Sequence, residues 1–320
     1  MVKILERTPI KQIIAISKKI VLPGFDKLSL YEVSSFFFHG LWWGSIPSRA
    51  SSIAFNFFLA LFPAIIFLFT LIPYIPIDNF QAELFELLQD VFPPNAYDSA
   101  KSTIDDVIKN GRSGLLSFGF LLAIFFSTNG ISTMISEFNH SVHTVENRSY
   151  FYQRYVALVL TLILSTLLIT AIILIVFSEN FSMYLVDVGR ISKTTAEWIG
   201  LSRWAILIAL LFVGISFLYY YAPSKKTRFR FFSAGSTMAT ILVVLTSVGF
   251  SYYVAHFARY NKLYGSIGTL IVILLWIYFN SISLLLGFEL NASITNAQRK
   301  RQKRLMKLKN ELEQKKDEKS

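Results

Sequence analysis

The stretch from residue 264 to residue 291, YGSIGTLIVILLWIYFNSISLLLGFELN, constrains the fold more than any other part of the chain. More than twenty of its residues follow one another without a charge before Glu289 is reached. At about 1.5 Å per residue, roughly 20 apolar residues of helix cross the hydrocarbon core of a bilayer. The stretch is therefore predicted to be a transmembrane helix.

This predicted helix carries polar residues on two of its faces. One set recurs at helical spacing and forms a stripe: Trp276, Asn280, Ser283, Gly287 and Asn291. Glu289, the acid near the end of the helix, lies about 200° around the helix from Gly287 and so faces another direction. Because amides and carboxylates are costly against lipid, both faces are expected to meet protein or a cavity.

Five further uncharged blocks predict five more transmembrane helices. The six predicted spans lie at about residues 53–76, 115–135, 156–177, 204–221, 232–254 and 267–291. Of the 320 residues, 53% are apolar and 16% are charged, which is typical of a polytopic membrane protein. The predicted fold class is therefore all-α, with one six-helix transmembrane domain over residues 45–291 and no soluble enzyme domain.

Three segments outside the spans complete the predicted organisation. Residues 1–44 are expected to form interfacial helices, since 8–21 is amphipathic and 28–44 is rich in aromatic residues. A frayed N-terminus remains the alternative for 8–21, and no signal peptide is expected there. Residues 77–114 predict an acidic helical hairpin, and residues 292–320 predict a basic helical tail.

The distribution of basic residues predicts the orientation. The segment PSKKTRFR contributes four bases and no acid: Lys225, Lys226, Arg228 and Arg230. Together with the basic tail, it places both termini in the cytoplasm and the acidic hairpin outside. The net charge of +11 is accordingly assigned to anionic lipid headgroups and topology, and no nucleic-acid partner is expected.

Four ordered motifs resemble the YihY/virulence factor BrkB family of bacterial inner-membrane proteins. They are the closing stretch 264–292, the segment from Ala54 to Pro63, Glu137-Phe138-Asn139 followed by Glu146 and Arg148, and Pro223 with the basic run before Ser233-Ala234-Gly235. Ser233 and Ala234 stand where the family often has proline. The resemblance covers residues 30–292 and implies a six-helix plasma-membrane protein. It also implies a link to transport or export, whereas the family's older label, ribonuclease BN, is regarded as an error.

Polar residues inside the predicted spans are the candidates for a substrate path. The candidates are Asn56, Pro63, Asn129, Asn280, Ser283, Glu289 and Asn291. Pro63 is expected to kink the first span, because proline removes a helical hydrogen bond. The amides alternatively make interhelical hydrogen bonds. Glu289 is either a coupling carboxylate or half of an ion pair with Arg148, Arg154 or Lys225, and the ion pair is favoured.

The sequence contains no constellation that predicts catalysis. The absence of cysteine excludes thiolate chemistry and cysteine-based metal sites. His140 and His143 have metal-compatible spacing, but surface histidines are the favoured interpretation, so no metal or cofactor is predicted. The leading hypothesis is transport or flipping of a hydrophobic or amphiphilic solute, with membrane lipids and a homo-oligomer as expected partners. A membrane scaffold is the alternative, and a ribonuclease is the least favoured.

Overall fold

The fold is described from a computed structural model that covers most of the predicted membrane domain. The described residues are 15–18, 20–21, 24–25, 28–71, 113–140, 149–190, 192–223, 231–256 and 259–317. The predicted acidic hairpin, apart from its last two residues, and the basic segment 224–230 lie outside the described residues, as do residues 10, 13 and 14 of the N-terminal amphipathic segment.

Within these ranges the chain forms seven long helices. They are α1 (Leu30–Trp43), α2 (Ile46–Leu71), α3 (Ser113–Asn139), α4 (Tyr150–Asp187), α5 (Lys193–Tyr221), α6 (Ala234–His256) and α7 (Arg259–Asp317). Helices α2 to α7 are each long and apolar enough to cross a membrane. The predicted all-α polytopic fold with six spans is therefore confirmed.

The helices extend beyond the apolar blocks from which they were predicted. Helix α2 begins at Ile46, whereas its span was expected to begin at 53. Helix α4 continues to Asp187 and α7 to Asp317, well past the predicted ends of their spans at 177 and 291. The reason is that hydropathy marks only the part of a helix that lies in hydrocarbon, while helical hydrogen bonding continues into the flanking polar residues.

Helix α1 begins and ends with standard capping interactions. Ser29 and Glu32 form a capping box, in which the Glu32 amide donates to Ser29 Oγ at 3.3 Å and the Ser29 amide donates to Glu32 Oε2 at 3.1 Å. The helix ends at Gly44, and Ser45 takes a positive φ of 48° that turns the chain into α2. The Trp42 and Trp43 side chains, 82% and 68% exposed, suit the predicted interfacial position.

The core joins all six spanning helices. One buried cluster takes a residue from each of them, for example Ile53, Ile135, Leu160, Tyr219, Ala239 and Phe288. Near its centre the rings of Phe138 and Phe288 stack with centroids 4.4 Å apart, and Tyr219 packs edge-on against both. A second cluster packs Val33 of α1 against Leu290 and Ile294 of α7, so α1 lies against the last helix.

Much of the apolar surface of the spans faces outward. In the span Tyr150–Ile175 of α4 only 11% of the residues are buried, although its mean hydropathy is 2.9. Leu168, Ile169 and Ile173 on this helix are each more than half exposed. A surface of this kind requires lipid as its solvent.

Candidate functional site

A cavity of about 530 Å³ lies between the spanning helices. Each of the six spans contributes to its wall, and nearly all of the wall is apolar. Its lining includes Phe57, Met134, Leu167, Ala171, Leu211, Val243 and Leu284, and the hydrogen-bonding side chains in the lining belong to Ser247, Trp276 and Asn280. The volume falls in the range of ligand-binding cavities, and a mostly apolar wall with few polar groups is typical of them.

The cavity opens at the outer surface of the bundle. Leu168 of α4 and Trp276 of α7 line it and are 62% and 43% exposed. Both residues lie within candidate membrane spans, so the opening lies on the lipid-facing side. An apolar molecule dissolved in the bilayer can therefore reach the cavity without crossing water.

Asn280 presents an unused acceptor at this cavity. Its Nδ2 donates to the backbone carbonyl of Trp276 at 2.8 Å. Since a carbonyl only accepts, this bond fixes the orientation of the amide. Oδ1 of Asn280 is buried and has no hydrogen-bond partner in the described structure. A buried amide oxygen without a donor costs about 1–3 kcal/mol. Almost none of the surface of this oxygen is accessible, so a donor reaches it only if the neighbouring side chains shift.

A second polar centre joins α1, α2, α3 and α7 through Arg49 and Glu289. Nη1 of Arg49 lies 3.8 Å from Oε2 of Glu289, and the two side chains are 6% and 0% exposed. The same guanidinium donates through Nη1 to the carbonyl of Gly44 at 3.1 Å and through Nη2 to the carbonyl of Glu137 at 2.6 Å. The buried guanidinium of Arg49 therefore holds α1, α2 and α3 together beside the buried carboxylate of Glu289.

Within the described residues, Glu289 pairs with an arginine that was not among its expected partners. Its ion-pair partner is Arg49, on the first span, while Arg154 lies elsewhere, and Arg148 and Lys225 are outside the described residues. Arg49 was not predicted as a site residue because the first span was expected to begin at 53, which left the arginine inside the predicted membrane domain but outside its first span. The sequence feature that could have identified it is a single arginine shortly before the first apolar block.

Glycine at position 40 makes room for the Glu289 carboxylate. A Cβ on Gly40 would overlap Oε1 of Glu289 and would lie 2.7 Å from its Cδ and 2.9 Å from its Cγ. The Cα of Gly40 on α1 therefore forms part of the wall around the carboxylate. Helix α1 thus contributes directly to this polar centre.

Asn56 and Asn129 meet, as part of a chain of hydrogen bonds between α2, α3 and α4. Nδ2 of Asn129 donates to Oδ1 of Asn56 at 2.8 Å, and Nδ2 of Asn56 donates to the Ser52 carbonyl at 2.9 Å. Arg154 Nη1 donates to Asn129 Oδ1 at 3.1 Å. Asn280 takes no part in this series of hydrogen bonds. The three amides that were predicted to line one path therefore lie at two sites: Asn56 and Asn129 between α2 and α3, and Asn280 at the cavity.

The other polar residues of the stripe on α7 serve helix contacts. Ser283 is buried and lies 3.2 Å from Thr246 of α6, oxygen to oxygen. Asn291 binds the start of α6, where its Oδ1 accepts from the Gly235 amide and its Nδ2 donates to Ser233 Oγ, both at 2.8 Å. Asn291 therefore helps to cap α6.

The remaining candidates lie apart from both polar centres or outside the description. Pro63 is buried within α2, which continues through it. Lys225, Lys226, Arg228 and Arg230 lie outside the described residues. His140 Nδ1 lies 3.4 Å from Ser136 Oγ, and His143 is not among the described residues. In the ranges that are described, no three His, Cys, Asp or Glu side chains group so as to hold a metal ion.

This arrangement defines a polytopic α-helical membrane protein with a cavity that opens towards lipid. The family model described as Virulence factor BrkB matches residues 37–311, so the chain belongs to that family. The resemblance derived from the sequence motifs is thereby confirmed. Three residues that carried it, Glu137, Phe138 and Asn139, lie around the buried centre: they bind Arg49, stack on Phe288 and donate to the Ala222 carbonyl.

Curated relatives agree with this family. A protein of Bacillus subtilis (strain 168) named ribonuclease-like protein YfkH is 33% identical over 246 residues, which are 77% of this chain and 88% of the relative. The UPF0761 membrane protein MS0032 of Mannheimia succiniciproducens is 28% identical over 254 residues, 77% of this chain and 84% of the relative. The UPF0761 membrane protein xcc-b100_3490 of Xanthomonas campestris pv. campestris is 25% identical over 251 residues and is 56% covered. No solved structure matches the chain.

Proposed function

We propose that this protein transports or flips a hydrophobic or amphiphilic solute across the bacterial plasma membrane, with both termini in the cytoplasm. The observation that carries the proposal is the cavity of about 530 Å³ to which all six spans contribute and which opens beside Leu168 and Trp276. A scaffold held together only by its core has no need of such a cavity. The cavity suits an apolar solute, and a hydrogen-bond donor on that solute would bind Asn280 Oδ1 once the side chains that cover this oxygen move aside.

The proposal is tested by reconstituting the full chain in liposomes with fluorescent lipid analogues. Ala171 lines the cavity, whereas Ile173 on the same helix is 60% exposed and does not. Ala171→Trp fills the cavity and is expected to lower the rate of lipid movement at least several-fold. Ile173→Trp adds an indole to the lipid-facing side of α4 and is expected to leave the rate unchanged.

Asn280→Ala removes the amide from the cavity wall and is expected to slow analogues with a hydroxyl more than those without one. The transport proposal fails if the native chain moves no analogue faster than protein-free liposomes. It also fails if Ala171→Trp and Ile173→Trp behave alike. Either result would favour the scaffold, whose docking surface would be the exposed, charged end of α7 between Arg299 and Gln314.

The name of the Bacillus subtilis relative raises RNA cleavage as a competing activity. We propose that the present chain is not an enzyme, because the polar candidates that the structure describes, among them Asn129, Ser283 and Asn291, bind neighbouring helices. The purified chain, incubated with RNA and magnesium, is expected to leave the RNA intact. Cleavage that co-purifies with the protein and is lost in His140→Ala would overturn this assignment.

A further inference from the structure

Arg154 is a cation inside the third span, α4, and its contacts within the described residues are to uncharged groups. It lies in the candidate span Tyr150–Ile175. Nη1 donates to Oδ1 of Asn129 at 3.1 Å, and the guanidinium carbon lies 5.1 Å from the ring centre of Phe125. Across the residues that are described, no carboxylate pairs with Arg154. A charge in a membrane span that has no counter-ion among the described residues is a candidate for binding an anion from outside the protein.

The hydrogen bonds behind Arg154 hold its guanidinium from one side. A backbone carbonyl, that of Ser52, accepts at one end of the chain of amides, and a guanidinium donates at the other end. Because a carbonyl only accepts and a guanidinium only donates, the direction of the Asn56–Asn129 bond between them is fixed. This series of hydrogen bonds uses one of the five N–H donors of Arg154 and leaves the others for a ligand.

The surroundings of Arg154 place it at the depth of lipid headgroups. Tyr150, Phe151 and Tyr155, in the same two turns, are 69%, 83% and 64% exposed, and exposed aromatic rings collect at the membrane–water interface. Arg154 is also about 6 Å from the start of α4, where the helix dipole favours an anion. Exposed apolar side chains continue the same helical face into the span, as Leu158, Leu162 and Ile169.

We propose that Arg154 binds the phosphate group of a bilayer phospholipid, whose acyl chain lies along Leu158, Leu162 and Ile169. A planar guanidinium that is already held by Asn129 and Phe125 loses little freedom when it donates to two phosphate oxygens. The ligand class is a phosphate ester attached to an apolar chain. This site rests on the contacts between α3 and α4 and does not depend on the proposed transport through the cavity.

The experiment is native mass spectrometry of the full chain in detergent micelles, titrated with phosphatidylglycerol or with diacylglycerol of the same acyl chains. The two lipids differ by the phosphoglycerol headgroup. The native chain is expected to bind phosphatidylglycerol the more tightly, and Arg154→Gln is expected to lower that affinity about tenfold, to the level of diacylglycerol. Arg190→Gln removes the same charge from an exposed position beyond the far end of α4 and is expected to change nothing.

A second variant keeps Arg154 but occupies its guanidinium with a carboxylate of the protein. Asn129→Asp places a carboxylate beside Arg154, while the Asn56 amide turns to donate to it, so phosphatidylglycerol binding is expected to fall although Arg154 is intact. Unchanged phosphatidylglycerol affinity in both Arg154→Gln and Asn129→Asp, each folded by circular dichroism, would overturn the proposal. Displacement of the lipid by millimolar glycerol phosphate would also overturn it, since the site would then take soluble phosphate esters.

Discussion

Gly235 of α6 and Gly287 of α7 meet backbone to backbone. A Cβ on Gly287 would lie 2.5 Å from the carbonyl oxygen of Gly235 and 2.6 Å from Cβ of Ala239, and a Cβ on Gly235 would overlap the carbonyl oxygen of Gly287. Small residues permit this approach in a membrane, where helix association depends on close packing and interhelical hydrogen bonds. The approach also brings Asn291 within reach of the first amides of α6.

Replacing Gly287 with alanine is expected to destabilise the bundle by about 3 kcal/mol, because the added methyl group meets a backbone carbonyl and a packed alanine that have no room to move. The measurement is the midpoint of thermal unfolding of the purified chain in detergent. Gly249→Ala is the matched control on α6, where an added Cβ meets no atom within 4 Å. This control is expected to raise the midpoint slightly, since alanine favours a helix by about 0.5–1 kcal/mol over glycine. Equal effects of the two replacements would contradict the close approach.

The Arg49–Glu289 pair predicts a non-additive double-mutant cycle. Arg49→Met and Glu289→Gln are each expected to cost about 3 kcal/mol, because either one leaves a buried polar partner uncompensated. The double variant is expected to cost clearly less than the sum, because neither charge then remains buried alone. Unfolding midpoints of the four proteins measure this coupling. Strict additivity would show that the two side chains do not interact.

Gly40→Ala tests the same centre from α1. The added methyl group would push the Glu289 carboxylate away from Arg49, so we expect a loss of about 1–3 kcal/mol. In a Glu289→Ala background the displaced carboxylate is gone, and Gly40→Ala is expected to be nearly neutral. The contrast between the two backgrounds is the readout, and a loss that is the same in both would place the strain elsewhere.

The cap on α6 predicts a graded series at position 291. Asn291→Ala removes both the acceptor for the Gly235 amide and the donor to Ser233, and is expected to cost about 1–2 kcal/mol. Asn291→Asp keeps the acceptor and should recover part of that loss. Asn296→Ala serves as the control, because its amide only donates back to the Ala292 carbonyl of the same helix. A series in which alanine and aspartate behave alike would argue against the cap.

The Asn56–Asn129 hydrogen bond predicts a modest coupling between α2 and α3. Single alanine replacements are expected to lose stability, and the coupling energy from the double variant should be about 0.6–2 kcal/mol, as for other hydrogen bonds between membrane helices. Unfolding midpoints in detergent again provide the measurement. A coupling near zero would mean that water or lipid replaces the lost partner fully.

The spans, the fold class and the family followed from the sequence, because twenty uncharged residues have few other ways to fold and because the motifs are ordered along the chain. The partners of individual polar residues did not follow. Periodicity put Asn280, Ser283 and Asn291 on one stripe, yet they face the cavity, Thr246 and the start of α6 respectively. A helical wheel gives the direction of a side chain around its own axis, but not which neighbouring helix lies there at each depth.

The ion pair of Glu289 shows the same limit for a contact between residues that are far apart in the sequence. The ion pair was favoured from the sequence, and basic residues close to the cytoplasmic end were considered as partners. Arg49 is separated from Glu289 by almost the whole membrane domain along the chain, and only the packing of α2 against α7 brings the two together. Hydropathy also placed the start of the first span too late to include Arg49, because a single charge lowers the average over the whole first turn.

Helix α7 runs without interruption for 59 residues, from Arg259 past the cavity wall and Glu289 to Asp317. Its last 26 residues extend about 39 Å beyond Asn291 at 1.5 Å per residue. A stiff helix of that length acts as a lever, so that a tilt of about 10° about Asn291 would move its exposed end by about 7 Å. Any rearrangement that a bound solute causes around Asn280 would therefore be magnified at the far end of the tail, where a fluorescent label or a partner protein would register it.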